Sequence, residues 1–172
     1  PTTYPGHGFV VFEVGWENAT AYQTGHIPGA RYFALETYEQ APLWTRVSDA
    51  ALAERLVQEG VRYDSTVVLY GRDMTAAARA AVLLMYAGVD DVRVLDGGFA
   101  AWRAAGYAIE TTVHLPDPVT DFGTTLPRHP GYLIGTEEAR ALAAERDATL
   151  VSIRSWAEYS GATSGYPYIQ PK

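Results

Sequence analysis

The residues best placed for chemistry lie in the stretch Val67 to Arg79, VVLYGRDMTAAAR. Gly71, Arg72, Asp73, Met74, Thr75 and Ala76 join an apolar run, Val67 to Tyr70, to an alanine-rich one that continues to Ala87. The first run is rich in β-branched side chains and predicts a buried parallel strand. The second predicts a helix closed by Gly88. A strand that turns at once into a helix aims free backbone N–H groups at one point, which suits an anion or a thiolate. Reactive groups in open α/β sheets also collect at the carboxyl ends of strands. Gly71 to Ala76 is therefore the candidate anion or loop site. Against it stands the plainer use of such a junction, an ordinary βα turn in which Arg72 and Asp73 form a solvated pair.

The other chemistry-bearing residue types narrow the choice. The chain contains no cysteine, which excludes disulfides, thiolate metal sites and a cysteine nucleophile within these residues. No GxSxG elbow, HExxH or P-loop occurs. The four histidines, His7, His26, His114 and His129, fall in turn or linker contexts without ligand spacing, so neither a metal nor a cofactor is expected. His26 reads as a structural turn residue that satisfies backbone atoms. Trp16, Trp44, Trp102 and Trp156 read as core anchors. A net charge of −7 and a pI near 5.0 argue against nucleic acid and anionic membrane surfaces as partners. No apolar run reaches the roughly 18 residues of a membrane span. The start at Pro1 leaves processing open, and the compartment, cytoplasmic or periplasmic, is open with it.

The elements that must position this junction follow in order. Phe9 to Val14 is a short strand and Asn18 to Gln23 a helical turn. Pro28-Gly29 suits the centre of a type II turn, and Tyr32 to Leu35 is a brief strand. Ser48 is the N-cap of a helix running to Glu59, with Leu52, Leu56 and Val57 inward and Gly60 as its stop. Strand 67–70 and helix 76–87 come next, then a strand at Val92 to Leu95 and a helix from Phe99 to Ala105 ended by Gly106. Strands alternating with helices predict an α/β fold, a parallel sheet of about five strands with helices on both faces. Residues 1–110 form this domain.

Residues 111–131 carry Pro116, Pro118, Pro127 and Pro130 without visible periodicity and read as a linker. From residue 132 to 172 a new unit begins. Thr136 caps a helix with Glu137 and Glu138 in its first turn, ending near Arg146, and Thr149 to Ile153 reads as a strand. LVSIRSWAEY, Leu150 to Tyr159, repeats the pattern of VVFEVGWENATAY, Val10 to Tyr22. The second unit is an incomplete copy of the first, and both chain ends read as interior positions of a longer protein. A lone helix and strand bury no sheet face, so this unit is expected to need completion by a further piece.

Taken together, these pieces resemble the rhodanese (thiosulfate sulfurtransferase) family. Gly25-His26-Ile27-Pro28-Gly29-Ala30 is similar to its G-H-I-P-G-A signature. Val67 to Ala87 resembles its strand, active-site loop and helix, and Leu95-Asp96-Gly97-Gly98-Phe99-Ala100-Ala101-Trp102 its L-D-G-G-x-x-x-W element. The whole resembles bacterial sulfurtransferases with three tandem rhodanese domains, as the middle domain plus the start of the last.

The departures from the family pattern matter most. The family's loop runs Cys-x-x-Gly-x-Arg; Gly71 stands at the nucleophile position, Met74 at the glycine and Ala76 at the arginine. Its Asp-x-Arg after the first strand is Glu13-Val14-Gly15, whereas the second copy keeps an arginine in Ser152-Ile153-Arg154. The resemblance thus implies an inert first copy, with Arg154 a possible active-site wall of the second and its cysteine at about position 210. A sulfurtransferase holds sulfane sulfur covalently between two half-reactions, and thiolate does this where serine or threonine does not. The implied parent takes sulfur from a small anionic, thiosulfate-like donor through a cysteine persulfide outside this chain, with the C-terminal remainder of the same protein as partner. The alternative is a non-catalytic rhodanese-like module that binds an anion or a protein. A phosphatase of the same fold is disfavoured, since it needs the same cysteine and a longer loop.

Overall fold

The computed structural model describes residues 9–16 and 19–165. The opening segment 1–8, the expected helix start at Asn18 and the end of the closing Gly/Ser/Tyr-rich stretch lie outside the described residues. The chain divides into two compact units, meeting between Leu133 and Ile134.

The first unit is built on four parallel strands: β1 (Phe9–Gly15), β2 (Arg31–Ala34), β5 (Thr66–Gly71) and β6 (Asp91–Val94), in the order β2-β1-β5-β6. Among the described residues the sheet has four strands where about five were expected. Between them in the chain, β3 (Glu39–Gln40) and β4 (Thr45–Arg46) pair only with each other, as a separate antiparallel ribbon. The apolar run that predicted a buried strand is central: β5 lies between β1 and β6, and Val67, Leu69 and Tyr70 are fully buried.

The two faces follow from the strand period of two. Val10, Phe12 and Val14 of β1 and Val67 and Leu69 of β5 point into the larger core. There α2 (Asp49–Gln58) contributes Leu52 and Leu56, and α3 (Met74–Ala87) contributes Ala76, Ala77, Ala80, Leu83 and Leu84. Val11 and Tyr70 point the other way, onto Ile27, Ala30 and Phe99. That side is covered by the 25–30 turn and α4 (Gly98–Ala104). Small side chains let α3 lie close to the sheet, and its length comes from alanine's high helix propensity. Asp73 starts it as N-cap, and Gly88 ends it in the left-handed conformation at φ 104°. Ser48 caps α2 as its sequence predicts, accepting from the Ala51 N–H. In the 25–30 turn, Gly29 at φ 79° and the Ala30 N–H bonded to the Ile27 carbonyl give the expected type II geometry.

The proline-rich stretch after α4 is irregular, but it is not a loose tether. Glu110 bridges to His26 and His114 to Arg31, Val119 donates to the Val57 carbonyl, and Phe122 is buried in the main core. Arg128 donates to the carbonyl of Gly88 and to Asp90, fastening the stretch to the end of α3. Proline removes N–H donors without preventing side chains and carbonyls from docking.

The second unit holds α5 (Thr136–Leu142) and α6 (Trp156–Tyr159). Gly135, not Thr136, occupies the N-cap of α5, and the helix stops at Leu142, short of Arg146. Glu137 and Glu138 do fall in its first turn. Residues 149–153 form no strand: Leu150 is 72%, Val151 77% and Ile153 97% exposed. A strand is defined by its neighbours, and the described residues of this unit supply none. No helix among the described residues is long and apolar enough to cross a membrane.

Candidate functional site

The junction after β5 is assembled by strand register. Glu13 of β1 stands beside Tyr70 of β5, and alternation turns both side chains to the face away from the main core. Glu13 is therefore a buried carboxylate, 2% exposed, and a buried charge demands partners. It has two. The Tyr70 hydroxyl donates to Oε2 at 2.9 Å and the Arg72 Nε to Oε1 at 2.8 Å. Tyr70 in turn accepts from the Ile27 N–H at 3.0 Å, and burial, with the Glu13 charge adding to it, pushes its phenol pKa up.

Arg72 is turned back onto the protein, with 36% of its side chain still open to solvent. Its Nη2 donates to the carbonyls of Ala21 at 2.9 Å and Gly25 at 2.5 Å, and its guanidinium lies 4.1 Å over the Phe99 ring. The expected Arg72–Asp73 pair does not form. Asp73 turns the opposite way and accepts from the N–H and hydroxyl of Thr75 at 2.8 and 2.7 Å and from Trp16 Nε1 at 2.9 Å. The Thr75 hydroxyl first, with the Thr75 N–H and Trp16, lowers the Asp73 pKa against the opposing effect of burial. A carboxylate thus already sits on the N-terminus of α3, the position that would otherwise receive an anion. Met74 is the first residue of the helix and Ala76 is buried in the core, so neither offers a polar group to the loop.

Two glycines close the remaining space. A Cβ on Gly71 would collide with the Asp73 carbonyl oxygen, and one on Gly98 with the Gly71 carbonyl oxygen and the Met74 sulfur. The Gly97-Gly98 pair, at φ 70° and 55°, lets α4 start directly against the loop. The loop of Gly71 to Ala76 is a clasp in which the Arg72 guanidinium and the Thr75 N–H and hydroxyl are engaged by the protein itself.

Arg154, the candidate from the second copy, is exposed in the bend before α6, and its N–H reaches Ser152 Oγ at 3.4 Å. The tryptophan expectation fails for three of four. Trp16, Trp44 and Trp156 are 38%, 45% and 78% exposed, while Trp102 packs partly buried on the smaller cluster. Indole N–H groups find partners at surfaces, as Trp16 does at Asp73. His26 satisfies a turn as expected, its Nδ1 lying 2.9 Å from the Tyr22 carbonyl oxygen. Sequence reasoning missed two things here. Glu13 was noted only as a departure, although an acid in an apolar strand is itself a signal of a buried partner. His26, Glu110 and His114 are brought together although nothing in their spacing shows it.

A parallel α/β sheet with this strand-loop-helix junction defines a class, and comparison with known proteins gives it its name. The Rhodanese-like domain family matches residues 13–105, and the chain belongs to the rhodanese family. Among relatives, it is 46% identical over 172 residues to the thiosulfate sulfurtransferase YnjE of Escherichia coli (strain K12), covering 99% of this chain and 40% of that protein. The crystal structure of YnjE superposes with a TM-score of 0.93 over 99% of this chain and 41% of that one. A probable 3-mercaptopyruvate sulfurtransferase of Pseudomonas aeruginosa is 46% identical over 100 residues, 53% of this chain and 35% of its own. The anaerobic ergothioneine biosynthesis enzyme of Chlorobium limicola, solved with trimethyl histidine, is similar at a TM-score of 0.92 and 36% identity, over 98% of this chain and 43% of its own. The chain spans less than half the length of each of these relatives.

Proposed function

We propose that this chain is the non-catalytic rhodanese-like domain, with the opening of a further copy, of a sulfurtransferase that moves sulfane sulfur from a small thiosulfate-like anion to a thiophilic acceptor. The persulfide forms on a cysteine outside these residues, and Arg154 belongs to the wall of that later site. The observation that carries this reading is the clasp. Where a sulfurtransferase needs a thiolate cradled by N–H groups, this loop has a glycine without room for a side chain, and its arginine and helix N-terminus are already engaged. Similarity to sulfurtransferases over the whole chain supports the activity of the longer protein.

The test compares two proteins. The 172-residue chain, given thiosulfate and cyanide, forms no thiocyanate above a boiled control. The longer protein containing it does, and carries cyanolysable sulfur on a cysteine beyond residue 172. Turnover by the short chain, or none by the long one, refutes the proposal. A second reading, an anion- or protein-binding module without chemistry, is favoured by the exposed Trp16 edge beside Asp73. Amide shifts of Asp73 to Ala77 on thiosulfate addition would support it; under the first reading those amides stay fixed.

A further inference from the structure

Away from the clasp, the 25–30 turn and the segment after α4 are tied by main-chain pairing. His26 and Glu110 exchange N–H to carbonyl bonds at 2.9 and 3.0 Å, so their side chains leave adjacent backbone. His114 is fixed four residues on, its N–H donating to the Tyr22 hydroxyl at 3.1 Å and its backbone bridged to Arg31. Ligand-capable atoms of His26, Glu110 and His114 all lie within 4.8 Å of one another.

The tautomer of His26 follows from its surroundings. Its ring stacks on Tyr22 with centroids 3.9 Å apart, and Nδ1 faces the Tyr22 carbonyl oxygen. A carbonyl only accepts, so Nδ1 carries the hydrogen and Nε2 of the neutral ring carries the lone pair. That Nε2 is buried, makes no hydrogen bond, and faces the Glu110 carboxylate at 3.7 Å. A lone pair set against a carboxylate is an arrangement that a cation between them resolves. An imidazole whose other N–H is held by a backbone carbonyl is the supporting pattern of metal-bound histidine. Glu110 Oε1 is oriented likewise, by the Gly29 N–H at 2.5 Å, and lies 2.7 Å from His114 Nε2.

We propose that His26, Glu110 and His114 form a divalent-cation site, with Zn²⁺ the ion that fits its donors. Two imidazoles and one carboxylate are borderline ligands that suit zinc, and ligand atoms of a tetrahedral zinc site lie about 3.3 Å apart. The distances of 2.7 and 3.7 Å bracket that edge, all the ligand atoms lie within 4.8 Å of one another, and His114, 36% exposed, is the ligand that would turn to close the set. Glu110 and His114 are both partly exposed, which leaves a fourth position for solvent. The ion would staple the turn at residues 25–30 to the segment at 107–114. This is independent of any sulfur chemistry at the loop.

The experiment is titration of the chelator-treated 172-residue chain, free of any affinity tag, with ZnCl2 by calorimetry. Cobalt(II) serves as a visible-absorbing stand-in. One equivalent binds, zinc raises the melting temperature, and cobalt gives the absorption of a tetrahedral site. His114→Ala and Glu110→Gln each weaken binding by at least about tenfold, and His129→Ala leaves it unchanged. Absence of binding by the parent chain, or parent-like binding by either His114→Ala or Glu110→Gln, overturns the assignment. Should a variant fail to fold by circular dichroism, paramagnetic broadening by cobalt of the His26 and His114 ring protons in the unaltered chain decides instead. Broadening confirms the site and sharp signals refute it.

Discussion

At the scale of single residues, the site is governed by a buried carboxylate and the arginine that answers it. Removing Arg72 leaves Glu13 buried without its cation, which in comparable pairs costs about 3–5 kcal/mol; solvent access to Arg72 puts the expected loss for Arg72→Met at the lower end. Adding Glu13→Gln to that variant restores most of the stability, and urea unfolding of the four proteins of the cycle measures the coupling. Asp73→Ala removes an N-cap, a loss of about 1 kcal/mol. Because the pKa of Asp73 is lowered by folding, its contribution is present above the ordinary carboxylate value and fades below it, as pH falls toward and through the lowered value of the folded state. The gap between Asp73→Ala and parent melting temperatures should therefore shrink on acidification; a gap that stays constant would show that charge plays no part. Gly71→Cys introduces a thiol without turnover, since its Cβ displaces the Asp73 carbonyl. Its melting temperature falls, iodoacetamide labels it, and thiosulfate:cyanide activity stays at background.

Among the elements, those whose local signals agree were legible in the sequence. The run Val67 to Tyr70, the alanines after it and Gly88 all point to one strand and one helix, and β5 and α3 lie where they should. Caps at Ser48 and the Pro28-Gly29 turn were equally readable, because each depends on a few adjacent residues. What failed depends on distant partners. Thr149 to Ile153 has the composition of a strand and, among the described residues, no neighbour to pair with, so propensity alone could not make it one. The stretch 111–131 reads as tether because its contacts are made by Phe122, Val119 and Arg128 singly, without a period. The clasp shares this character: Glu13 and Arg72 are 59 residues apart, and only strand register joins them. For α3, Leu84→Ala opens a cavity in the main core and should cost about 2–5 kcal/mol by urea unfolding.

For the molecule as a whole, the two units differ in how much they bury. Hydrogen exchange should show this directly. Amides of β5 and α3 exchange slowest, at the rate set by global unfolding, while those of residues 148–155, exposed and outside regular structure, exchange within the time of mixing. Protection at Leu150 to Ile153 equal to that of Val67 to Tyr70 would contradict the fold described above.

The clasp also sets the cost of placing a thiol at this loop. A domain that loses a catalytic thiol by one substitution regains it by one, so long as the vacated space stays open. Here no such space is open: the Asp73 carbonyl lies against Gly71, Gly98 of α4 lies against the Gly71 carbonyl, and Arg72 is held by a carboxylate, two carbonyls and a ring. The approach of the Asp73 carbonyl makes a cysteine at position 71 costly. Mutational paths toward a thiol at this position therefore begin with a step that destabilises, and selection for such a reaction has no first rung to act on. A loop tied shut in this way is open to change at its rim, but not at its centre.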